Sequence, residues 1–393
     1  MTAPRTLALV MISNFGRSDG GRETWAYQFL PRLLSRDPGL HLDIRGLRAD
    51  DEPDNLPGLM AAFAEQDRSR VTCKFHRAKR GAIPLSLKML GAMFREGNPP
   101  ARKEPDLVLS VGSFVDLLCA LAARPFSNSP KALWLRTIYL DEKAHRIPNW
   151  LRPLLRSVET AVLRRADLLI ANGDDTAANY RSRGFQIEVI KNAVDLDRWK
   201  MPPPQLEEPI QVAFIGRLAA VKGAAEFLDL AKHLAQSGEK SRFHFHVVGE
   251  GEFADSARAA QAGGNLTFHG PVRNEDLPGL MRAIDVCVAL GFVGLGENGR
   301  GGGSGVSNAV LEQMAAGRVM LCWDNIAYGQ VLDDRSAYFA AQGSISALAG
   351  QLQEIAANPD DALRRAAEAA RQAQHYSFDG HIERFVGAVK RWL

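Results

Sequence analysis

The stretch VAFIGRLAAVKG, residues 212–223, joins an apolar run to a glycine, a turn with two cations and the start of a helical pattern. The run ending at Gly216 predicts a strand, and AAEFLDLAKHLAQSG (224–238) has helical spacing. Arg217 and Lys222 follow the carboxyl end of that strand, where two cations can converge on one anion. The stretch therefore predicts a β-α unit with an anion site, the alternative being two solvated surface cations.

Short runs rich in β-branched residues alternate with longer helical patterns on both sides of this stretch. In the first half the runs are TLALVMI (6–12), HLDIRGL (41–47), DLVLSVG (106–112), ALWLRTIY (132–139), DLLIANG (167–173) and IEVIKN (187–192). In the second half they are IQVAFIG (210–216), FHFHVVG (243–249), LTFHG (266–270), DVCVAL (285–290) and RVMLCWD (318–324). This alternation predicts an α/β protein with two largely parallel sheets.

Two segments mark the organisation of the chain. LDRWKMPPPQLEEP (196–209) contains three consecutive prolines, which forbid helix and suit a stiff linker, so we place a domain boundary near residue 200. The last segment, SFDGHIERFVGAVKRWL (377–393), has apolar residues at helical spacing, including Phe385, Val386 and Val389. This helix must pack against other elements, and we expect it to cross back to the first domain.

Composition excludes several classes of protein. With 393 residues, 46% hydrophobic, 24% charged, 35 Gly and 20 Pro, the chain is neither collagen-like nor disordered. The four cysteines lie far apart, three of them in apolar runs, which favours reduced, buried thiols and a cytoplasmic location. The first apolar run is too short for a signal sequence, and no run is long enough to span a bilayer.

The net charge of +3 is unevenly distributed. Residues 1–200 carry 31 Lys and Arg against 23 Asp and Glu, whereas the remainder carries 17 against 22. Ten of the cations lie between Arg68 and Lys103, with Glu96 as the one acid, around the apolar pattern IPLSLKMLGAMF. This segment, with Lys79, Arg80 and Lys88, is typical of a basic amphipathic surface for anionic lipid headgroups. A solvated basic helix is the main alternative, and nucleic acid is disfavoured by the near-neutral overall charge.

A glycine-rich loop, GLGENGRGGGSG (294–305), precedes the helical pattern NAVLEQMAA. Its backbone N–H groups can form an anion nest, and Ser307 is predicted to cap the helix, at whose N-terminus a phosphate would be favoured. Glu312 lies in the second turn, where a carboxylate can accept hydrogen bonds from ribose hydroxyls. The alternatives are a flexible loop and a solvated glutamate.

Other cofactor sites are poorly supported. Gly20 and Gly21, after the first strand, do not match the dinucleotide-binding spacing of glycines, so nicotinamide binding is disfavoured. His244 and His246 share one face of a strand but lack further ligands at metal-like spacing. We therefore expect no metal and no cofactor, and a thermal-shift screen with nicotinamide cofactors should show no effect.

The motifs GRLAAVKG, VVGEGE, FHGPV and GVSNAVLEQMAAG, in this order over residues 205–320, resemble family 4 of the retaining glycosyltransferases. The glycine loop after the first strand and ADLLIANGDDTAANYRSRGF, followed by IEVIKNAVDLDRW, resemble it more weakly. The resemblance implies the GT-B fold, with two Rossmann-like domains facing across a cleft and a C-terminal helix returning to the first. The implied acceptor-binding domain is 1–198 plus 377–393, and the implied nucleotide-sugar domain is 199–376.

The resemblance also implies roles for particular residues. Arg217 and Lys222 would be catalytic, holding the donor diphosphate, and Glu312 would bind the ribose. The donor-binding residues implied are Gly16, Gly20, Gly21, Gly216, Gly249, Val272, Glu297, Ser304, Gly305, Val306, Ser307, Asn308 and Glu312. Lys79, Arg80, Lys88 and Arg136 are expected on the acceptor or membrane side.

The chain departs from the family pattern at three places. The family's paired glutamates stand eight positions apart, so the partner of Glu312 is Ser304 here, with Glu297 as a candidate replacement. Relatives often have Gly-Gly and then Glu where this chain has Ala327-Tyr328 and then Gln330. A His often follows the strand ALWLRTIY, where this chain has Arg136 or Thr137.

These features lead to one main hypothesis and two alternatives. The first is a retaining, metal-independent hexosyltransferase that moves a sugar from a nucleoside-diphosphate donor to a hydroxyl acceptor, a lipid-linked or envelope glycan such as lipopolysaccharide. It would act in the cytoplasm, peripherally at the inner face of the cell membrane. The second is a non-catalytic nucleotide-sugar-binding subunit, and the third is a GT-B-like epimerase or nicotinamide enzyme.

Overall fold

A computed structural model describes residues 4–16, 21–81, 84–95, 104–142, 147–293 and 306–393. The chain forms two compact units: unit 1 comprises residues 1–191 and 378–393, and unit 2 comprises residues 192–377. In their described parts, each unit contains a sheet whose strands are all parallel, with helices between them. The predicted α/β architecture with two domains is confirmed.

Unit 1 is built around a sheet of seven strands in its described part. The strands are β1 (Arg5–Val10), β2 (Leu40–Ala49), β3 (Val71–Ala78), β4 (Leu107–Gly112), β5 (Lys131–Leu135), β6 (Leu168–Ala171) and β7 (Glu188–Val189). The helices between them are α1 (Gly21–Arg36), α2 (Leu56–Ala61), α3 (Leu85–Arg95), α4 (Phe114–Ala122), α5 (Tyr139–Glu142), α6 (Arg152–Leu163) and α7 (Asp174–Arg181). The strand order β3-β2-β1-β4-β5-β6-β7 is that of a Rossmann-like sheet.

Unit 2 repeats this design with six strands among the residues described. The strands are β8 (Ile210–Ile215), β9 (Phe243–Val248), β10 (Leu266–Gly270), β11 (Val286–Ala289), β12 (Val319–Asp324) and β13 (Tyr338–Ala341). The helices are α8 (Leu196–Trp199), α9 (Ala224–Gln236), α10 (Ala254–Ala260), α11 (Leu277–Met281), α12 (Asn308–Ala315), α13 (Ile345–Ala357) and α14 (Pro359–Ala373). The strand order is β10-β9-β8-β11-β12-β13. As in unit 1, the chain first adds strands on one side of the unit's first strand, β8, and then adds the remaining strands on its other side.

The last helix, α15 (Phe378–Val389), belongs to unit 1, as predicted. Phe385 packs edge-on against Phe29 of α1, with ring centroids 5.1 Å apart. The Trp25 indole N–H donates to Nε2 of His381 (2.9 Å), and His381 Nδ1 lies 2.8 Å from the Lys191 carbonyl oxygen. Burial lowers the pKa of His381 to about 3, so the ring is neutral and donates through Nδ1. Val386, predicted to pack with its neighbours, is instead exposed.

The basic segment 68–103 is not one amphipathic element. Residues 71–78 form β3, an edge strand that the sequence did not reveal because most of its side chains are exposed or half-buried. Residues 85–95 form α3, which buries Met89 and Met93. No helix that the structure describes, α3 included, has the length and apolar character needed to cross a bilayer.

The proline-rich segment does not connect the units but packs along unit 2. Trp199 and Leu206 lie in the hydrophobic core of unit 2, and the Asp285 carboxylate accepts the Gln205 and Leu206 N–H groups at 3.2 and 3.4 Å. Residues 192–199 also lie in unit 2, whereas the sequence suggested a boundary at 198/199. The chain passes between the units at 191/192 and again at 377/378.

Candidate functional site

Both sheets have a point where the strand order reverses, between β1 and β4 in unit 1 and between β8 and β11 in unit 2. In open parallel sheets, ligands bind beyond the carboxyl ends of the strands at such points. The structure places the predicted residues of 212–223 and 306–312 at this edge of unit 2. It places Gly16, Gly21 and Arg136 near the corresponding edge of unit 1.

The loops that follow β8, β9 and β10 are joined closely through their backbones. A Cβ on Gly249 would lie only 1.9 Å from the Gly216 carbonyl oxygen, so only glycine allows this approach. The Gly249 N–H donates to the Gly270 carbonyl (2.9 Å), and the Leu218 N–H donates to the Glu250 carbonyl (2.8 Å). The backbone around Arg217 is therefore fixed on both sides.

Arg217 and Lys222 are both exposed at this edge. Lys222 ends a 3-10 turn, Ala220–Lys222, which is followed by Gly223 in the left-handed region (φ 76°). A Cβ on Gly223 would lie 2.3 Å from the Leu290 Cβ, so the turn lies directly against the end of β11. Arg217 makes no ion pair with any residue that the structure describes, which leaves its guanidinium available for an anionic ligand.

The segment after β11, residues 290–293, is held by the loops that follow β12 and β13. The Gly291 N–H donates to the Tyr328 hydroxyl oxygen (2.6 Å), and the Asn325 side-chain amide donates to the Gly291 carbonyl (3.0 Å). Gln342 accepts the Val293 N–H through Oε1 (3.3 Å). Burial raises the pKa of Tyr328, so its hydroxyl stays protonated. Tyr328, Asn325 and Gln342 thus form a clamp on this segment. One signal for the clamp is visible in the sequence, since Ala327-Tyr328 stands where the family that the chain resembles often has two glycines.

Helix α12 starts at this edge, and Val306, just before it, is buried. The side-chain amide of Asn192 donates to the Val306 carbonyl (2.8 Å). Ser307 occupies the N-cap position, but its side chain makes no capping hydrogen bond, contrary to the prediction. Instead, the Val310 N–H donates to the backbone carbonyl of Ser307 (3.1 Å), and the Ser307 side chain is exposed. Asn308 begins the helix.

Glu312 lies half-buried on α12 and forms no hydrogen bond or ion pair with other residues in the described part of the chain. Burial raises the pKa of Glu312 to about 7, and the positive charge of Arg198 opposes this shift only in part. The Arg198 guanidinium donates to the Asn274 carbonyl, two residues after Val272. Arg198, which the sequence did not single out, thus acts on Glu312 through its charge and on the loop after β10 through this hydrogen bond. A carboxyl in this position can accept hydrogen bonds from a bound hydroxyl compound.

At the edge of unit 1, the charged side chains bind one another and the backbone. The Ser13 hydroxyl donates to Glu23 Oε1 (2.6 Å), and Asp116 accepts the Ile12 N–H (2.9 Å). Arg22 lies 3.5 Å from the Glu23 carboxylate and 3.7 Å from that of Asp116. Burial raises the pKa of Asp116, and the Arg22 charge and the backbone hydrogen bonds counteract this rise. Gly16 and Gly21 lie between Ser13 and Arg22 in the chain, and Gly21 begins α1.

Arg136 follows β5 and is half-buried rather than on the outer surface. Its guanidinium lies over the rings of Trp25 and Trp134, 5.3 and 5.9 Å from their centroids. Burial lowers the pKa of Arg136 to about 10, and the Arg22 charge adds to this effect. This position suits contact with a ligand at the sheet edge and does not suit contact with a membrane.

The other predicted acceptor or membrane residues lie around β3 and α3. Arg80 is ion-paired with Asp51 (3.0 Å) and Glu52 (2.5 Å), so its charge is largely compensated. The Lys88 ammonium donates to the Lys79 carbonyl, which ties the loop after β3 to α3.

Four of the predicted donor-binding residues lie outside the described part of the chain, namely Gly20, Glu297, Ser304 and Gly305. His246 bonds to His269 (2.9 Å) and to Gln211 (2.8 Å), and His244 bonds to Thr267 (2.8 Å). Burial lowers the pKa of His246 to about 4. Among the residues described, no cluster of His, Cys, Asp or Glu has the geometry to hold a metal ion.

Comparison with known families gives two matches that together span most of the chain. Residues 20–198 match the model described as Glycosyltransferase Family 4, and residues 209–358 match the model described as Glycosyl transferases group 1. No curated protein sequence matches the chain.

Several solved structures have the same fold over almost the whole chain. Sucrose-phosphate synthase from Thermosynechococcus elongatus is 16% identical, with a TM-score of 0.75 and 98% of each chain covered. HepE of Anabaena, in complex with UDP and glucose, is 17% identical, with a TM-score of 0.69, covering 98% of this chain and 99% of HepE. The apo lipopolysaccharide outer core galactosyltransferase WaaB is 13% identical, with a TM-score of 0.64, covering 99% of this chain and 100% of WaaB.

Proposed function

Because the chain belongs to glycosyltransferase family 4 and has the two-domain GT-B fold, we propose that it transfers a hexosyl unit from a nucleoside-diphosphate sugar to a hydroxyl acceptor. The observation that carries the proposal is the edge of unit 2, where Arg217 and Lys222 stand beside the strand-order reversal. Glu312 lies on the helix that starts at the same edge. These are the groups that a diphosphate and a ribose require.

In the proposed reaction, the bond between the sugar C1 and the departing diphosphate oxygen breaks, and C1 forms a bond to the acceptor oxygen on the same face. The acceptor proton passes to the diphosphate oxygen that leaves, so the configuration at C1 is retained. Negative charge grows on the diphosphate in the transition state. Arg217 and Lys222 stabilise that charge in place of a metal ion, and the backbone that carries them is held against the segments that follow β9 and β11.

Glu312 orients the nucleoside in this proposal. Its carboxylate accepts hydrogen bonds from the ribose hydroxyls, and the loop containing Val272 borders the base. The clamp of Tyr328 and Asn325 on Gly291 positions the segment that leads to the glycine-rich loop. A uridine nucleotide is the first donor to test, because HepE has been solved with UDP-glucose.

The proposed acceptor is a lipid-linked or envelope glycan, used at the cytoplasmic face of the membrane. WaaB, which acts on the lipopolysaccharide outer core, shares the fold and supports this class of acceptor. The acceptor would bind at the edge of unit 1, where Arg136 is held over two indole rings.

A panel of nucleoside-diphosphate sugars tests the proposal in two measurements on the full chain. Thermal shift should identify the donor that raises the melting temperature. With that donor and a glycolipid acceptor, free nucleoside diphosphate and a product with retained configuration at C1 should appear together. If no nucleotide sugar stabilises the protein, the proposal fails.

A second candidate is a non-catalytic nucleotide-sugar-binding subunit. It is favoured by Ser304 and Gln330, which stand where the family usually has glutamates. The same experiment separates the two, because a binding subunit would be stabilised by the donor yet release no diphosphate with any acceptor.

A further inference from the structure

Helices α9 and α10 of unit 2 are separated by an open groove, called the α9–α10 groove below. Its volume is about 590 Å³, within the range of roughly 300–1,000 Å³ that is usual for small-molecule sites. Each helix turns one face toward it, because the lining residues recur every three or four positions, as Ala225, Leu228, Lys232 and Ala235 do on α9. None of the described residues assigned above to the donor or the acceptor lines this groove.

The lining of the groove is largely apolar. Neighbouring helices usually fill the space between them with interlocking side chains. Here Ala235 on α9 and Ala259 on α10 are too small to do so. Among the larger apolar lining residues, Leu266 at the start of β10 is buried, and Leu228 and Phe253 are half-buried. A ligand in the groove therefore gains apolar contacts with both helices and with the sheet.

Two lysines give the groove its positive charge. Lys232 lies on α9, and Lys240 lies in the segment between α9 and β9. Both side chains are exposed, and neither forms an ion pair or a hydrogen bond in the described part of the chain. By contrast, Arg258 on α10, which does not line the groove, is paired with Asp255 (2.6 Å). The two lysines can therefore bind an anion without giving up an existing ion pair.

The charges distinguish the two ends of the groove. Helix α9 begins at the donor edge, and Asp229, the acid among the lining residues, lies one turn before Lys232. The two lysines therefore mark the end that is farther from the donor edge. Along α9 the groove extends from Ala225 to Gln236, which is roughly 16 Å of helix. A molecule with an anionic group at one end and an apolar body of this length matches both the charge and the size.

We propose that the α9–α10 groove is an effector site for a small organic anion with an apolar body, whose anionic group is bound by Lys232 and Lys240. An inorganic anion would leave the apolar walls in water, and a neutral amphiphile would leave the lysines unpaired. Phosphate and carboxylate monoanions or dianions both satisfy this chemistry. The effect of the ligand on donor binding rests on the proposed function, whereas the binding itself does not.

Both walls of the groove begin at the turn that carries the proposed donor-binding cations. Helix α9 starts two residues after Lys222. At the start of α10, the Phe253 N–H donates to the Leu218 carbonyl (3.2 Å), and Glu252 Oε1 accepts the Ala220 N–H (2.6 Å). A ligand that bridges the two helices restrains this turn, so less conformational entropy is lost when the donor binds. We therefore expect the ligand to raise donor affinity, and the donor to raise ligand affinity by the same factor.

Calorimetric titration of the full chain with octyl phosphate, below its micelle concentration, tests the proposal. Inorganic phosphate and octyl glucoside each offer half of its chemistry, and each should bind at least roughly tenfold more weakly than octyl phosphate. The double variant Lys232→Glu, Lys240→Glu should weaken octyl phosphate binding at least roughly tenfold. Ala259→Phe, which places a ring in the groove, should weaken it by a similar factor, roughly tenfold.

Matched controls come from exposed residues of unit 2 outside the groove. The double variant Lys200→Glu, Arg282→Glu reverses two exposed charges, and Ala367→Phe adds a ring to an exposed alanine of α14. Both should bind octyl phosphate like the wild type. Arg217→Ala should also keep this affinity, because the donor edge is a separate anion site. Circular dichroism should show that every variant is folded.

The same variants show whether octyl phosphate occupies the groove. Absence of wild-type binding overturns the proposal, as does wild-type affinity in both groove variants. Loss of binding in Arg217→Ala also overturns it, because octyl phosphate would then occupy the donor edge. Inorganic phosphate or octyl glucoside binding as tightly as octyl phosphate would overturn the assignment of an amphipathic anion.

Donor titrations with and without octyl phosphate test the effector role. Saturating octyl phosphate should raise the affinity for the nucleotide-sugar donor roughly fivefold in the wild type and leave it unchanged in the Lys232→Glu, Lys240→Glu variant. An unchanged or lower donor affinity in the wild type overturns the effector role. Binding of octyl phosphate in the groove of a protein that no nucleotide sugar stabilises would support the site while rejecting the transferase.

Discussion

The two sheet edges have the same strand topology but differ in how their charged side chains are bound. At the edge of unit 1, Arg22 lies between the carboxylates of Glu23 and Asp116, and these groups also bind the backbone. At the edge of unit 2, Arg217 makes no ion pair and Glu312 no hydrogen bond with the other residues described. Strand order alone therefore does not decide where a charged ligand binds. The edge with uncompensated charge is the one that gains most from an anionic donor.

Replacing Arg217 should have the largest effect, because the comparison assigns it to the ligand rather than to the fold. We expect Arg217→Ala to lower kcat by about 100- to 1,000-fold with an unchanged melting temperature. The control Arg282→Ala, at another exposed arginine of unit 2, should keep full activity. Normal turnover by Arg217→Ala would remove the diphosphate role from this edge.

Removing an ion-pair partner at the edge of unit 1 should lower the stability of the fold and leave donor binding unchanged. Asp116→Ala leaves Arg22 without one of its carboxylate partners and the Ile12 N–H without its acceptor. We expect unit 1 to lose about 3 kcal/mol in urea unfolding, with donor affinity unchanged. Asp255→Ala, at a fully exposed aspartate on α10, should change stability by less than about 0.5 kcal/mol. Equal stabilities for the two variants would contradict the structural role of Asp116.

The pH dependence of donor binding tests the unpaired state of Glu312. The ribose hydroxyls donate hydrogen bonds to the ionised carboxylate of Glu312. Because the pKa of Glu312 is about 7, this group is protonated at lower pH and must lose its proton before the donor can bind. Donor affinity should fall below pH 7 by up to about tenfold per pH unit, and Glu312→Gln should abolish this dependence. Glu354→Gln, on α13, should retain it.

Glu312 also predicts a pH dependence of folding stability. Donor affinity should rise with pH, whereas the stability of the protein without donor should fall. The folded protein holds the Glu312 proton to a higher pH than the unfolded chain does, so stability falls as pH rises from about 4.5 to about 7. Glu312→Gln should therefore melt at a higher temperature than the wild type at pH 8 in the absence of donor. An unchanged melting temperature at that pH would show that burying the carboxylate has no cost.

The smallest effect is expected from the clamp that Tyr328 and Asn325 form on Gly291 in unit 2. Tyr328→Phe removes the acceptor of the Gly291 N–H and should raise the donor KM roughly fivefold with little change in kcat. Tyr338→Phe removes a hydroxyl of the same unit that bonds to Asp361 (3.0 Å), and it should leave KM unchanged. A Tyr328→Phe enzyme with wild-type KM would mean that this hydrogen bond does not position the donor segment.

Sequence reasoning located the strands that are buried on both faces, because continuous apolar runs such as those of β8 and β11 have few other interpretations. It missed β13 and also β3, most of whose side chains are exposed or half-buried. It also assigned the proline-rich segment to a linker. Proline forbids helix but does not determine which core an extended segment packs against, and here Leu206 is buried in unit 2.

The candidate site was only partly predictable for a related reason. Arg217, Lys222 and Glu312 could be found from their local patterns of strand end, turn and helix. Arg198 and Tyr328 act through backbone atoms 76 and 37 positions away, Asn274 and Gly291, and no local pattern reports such contacts. Ser307 shows a different limit of local patterns. It is a residue type that favours the N-cap and it occupies that position, yet its side chain makes no capping hydrogen bond.

The return of α15 to unit 1 has a consequence for synthesis on the ribosome. Unit 2 is continuous in sequence, so its core can form once residue 377 has emerged. Unit 1 cannot close until the final helix arrives, because Phe385 and His381 cover the rings of Trp25, Phe29 and Trp134. Throughout translation the nascent N-terminal half therefore keeps an aromatic surface exposed, which makes it a natural client for chaperones although it is made first.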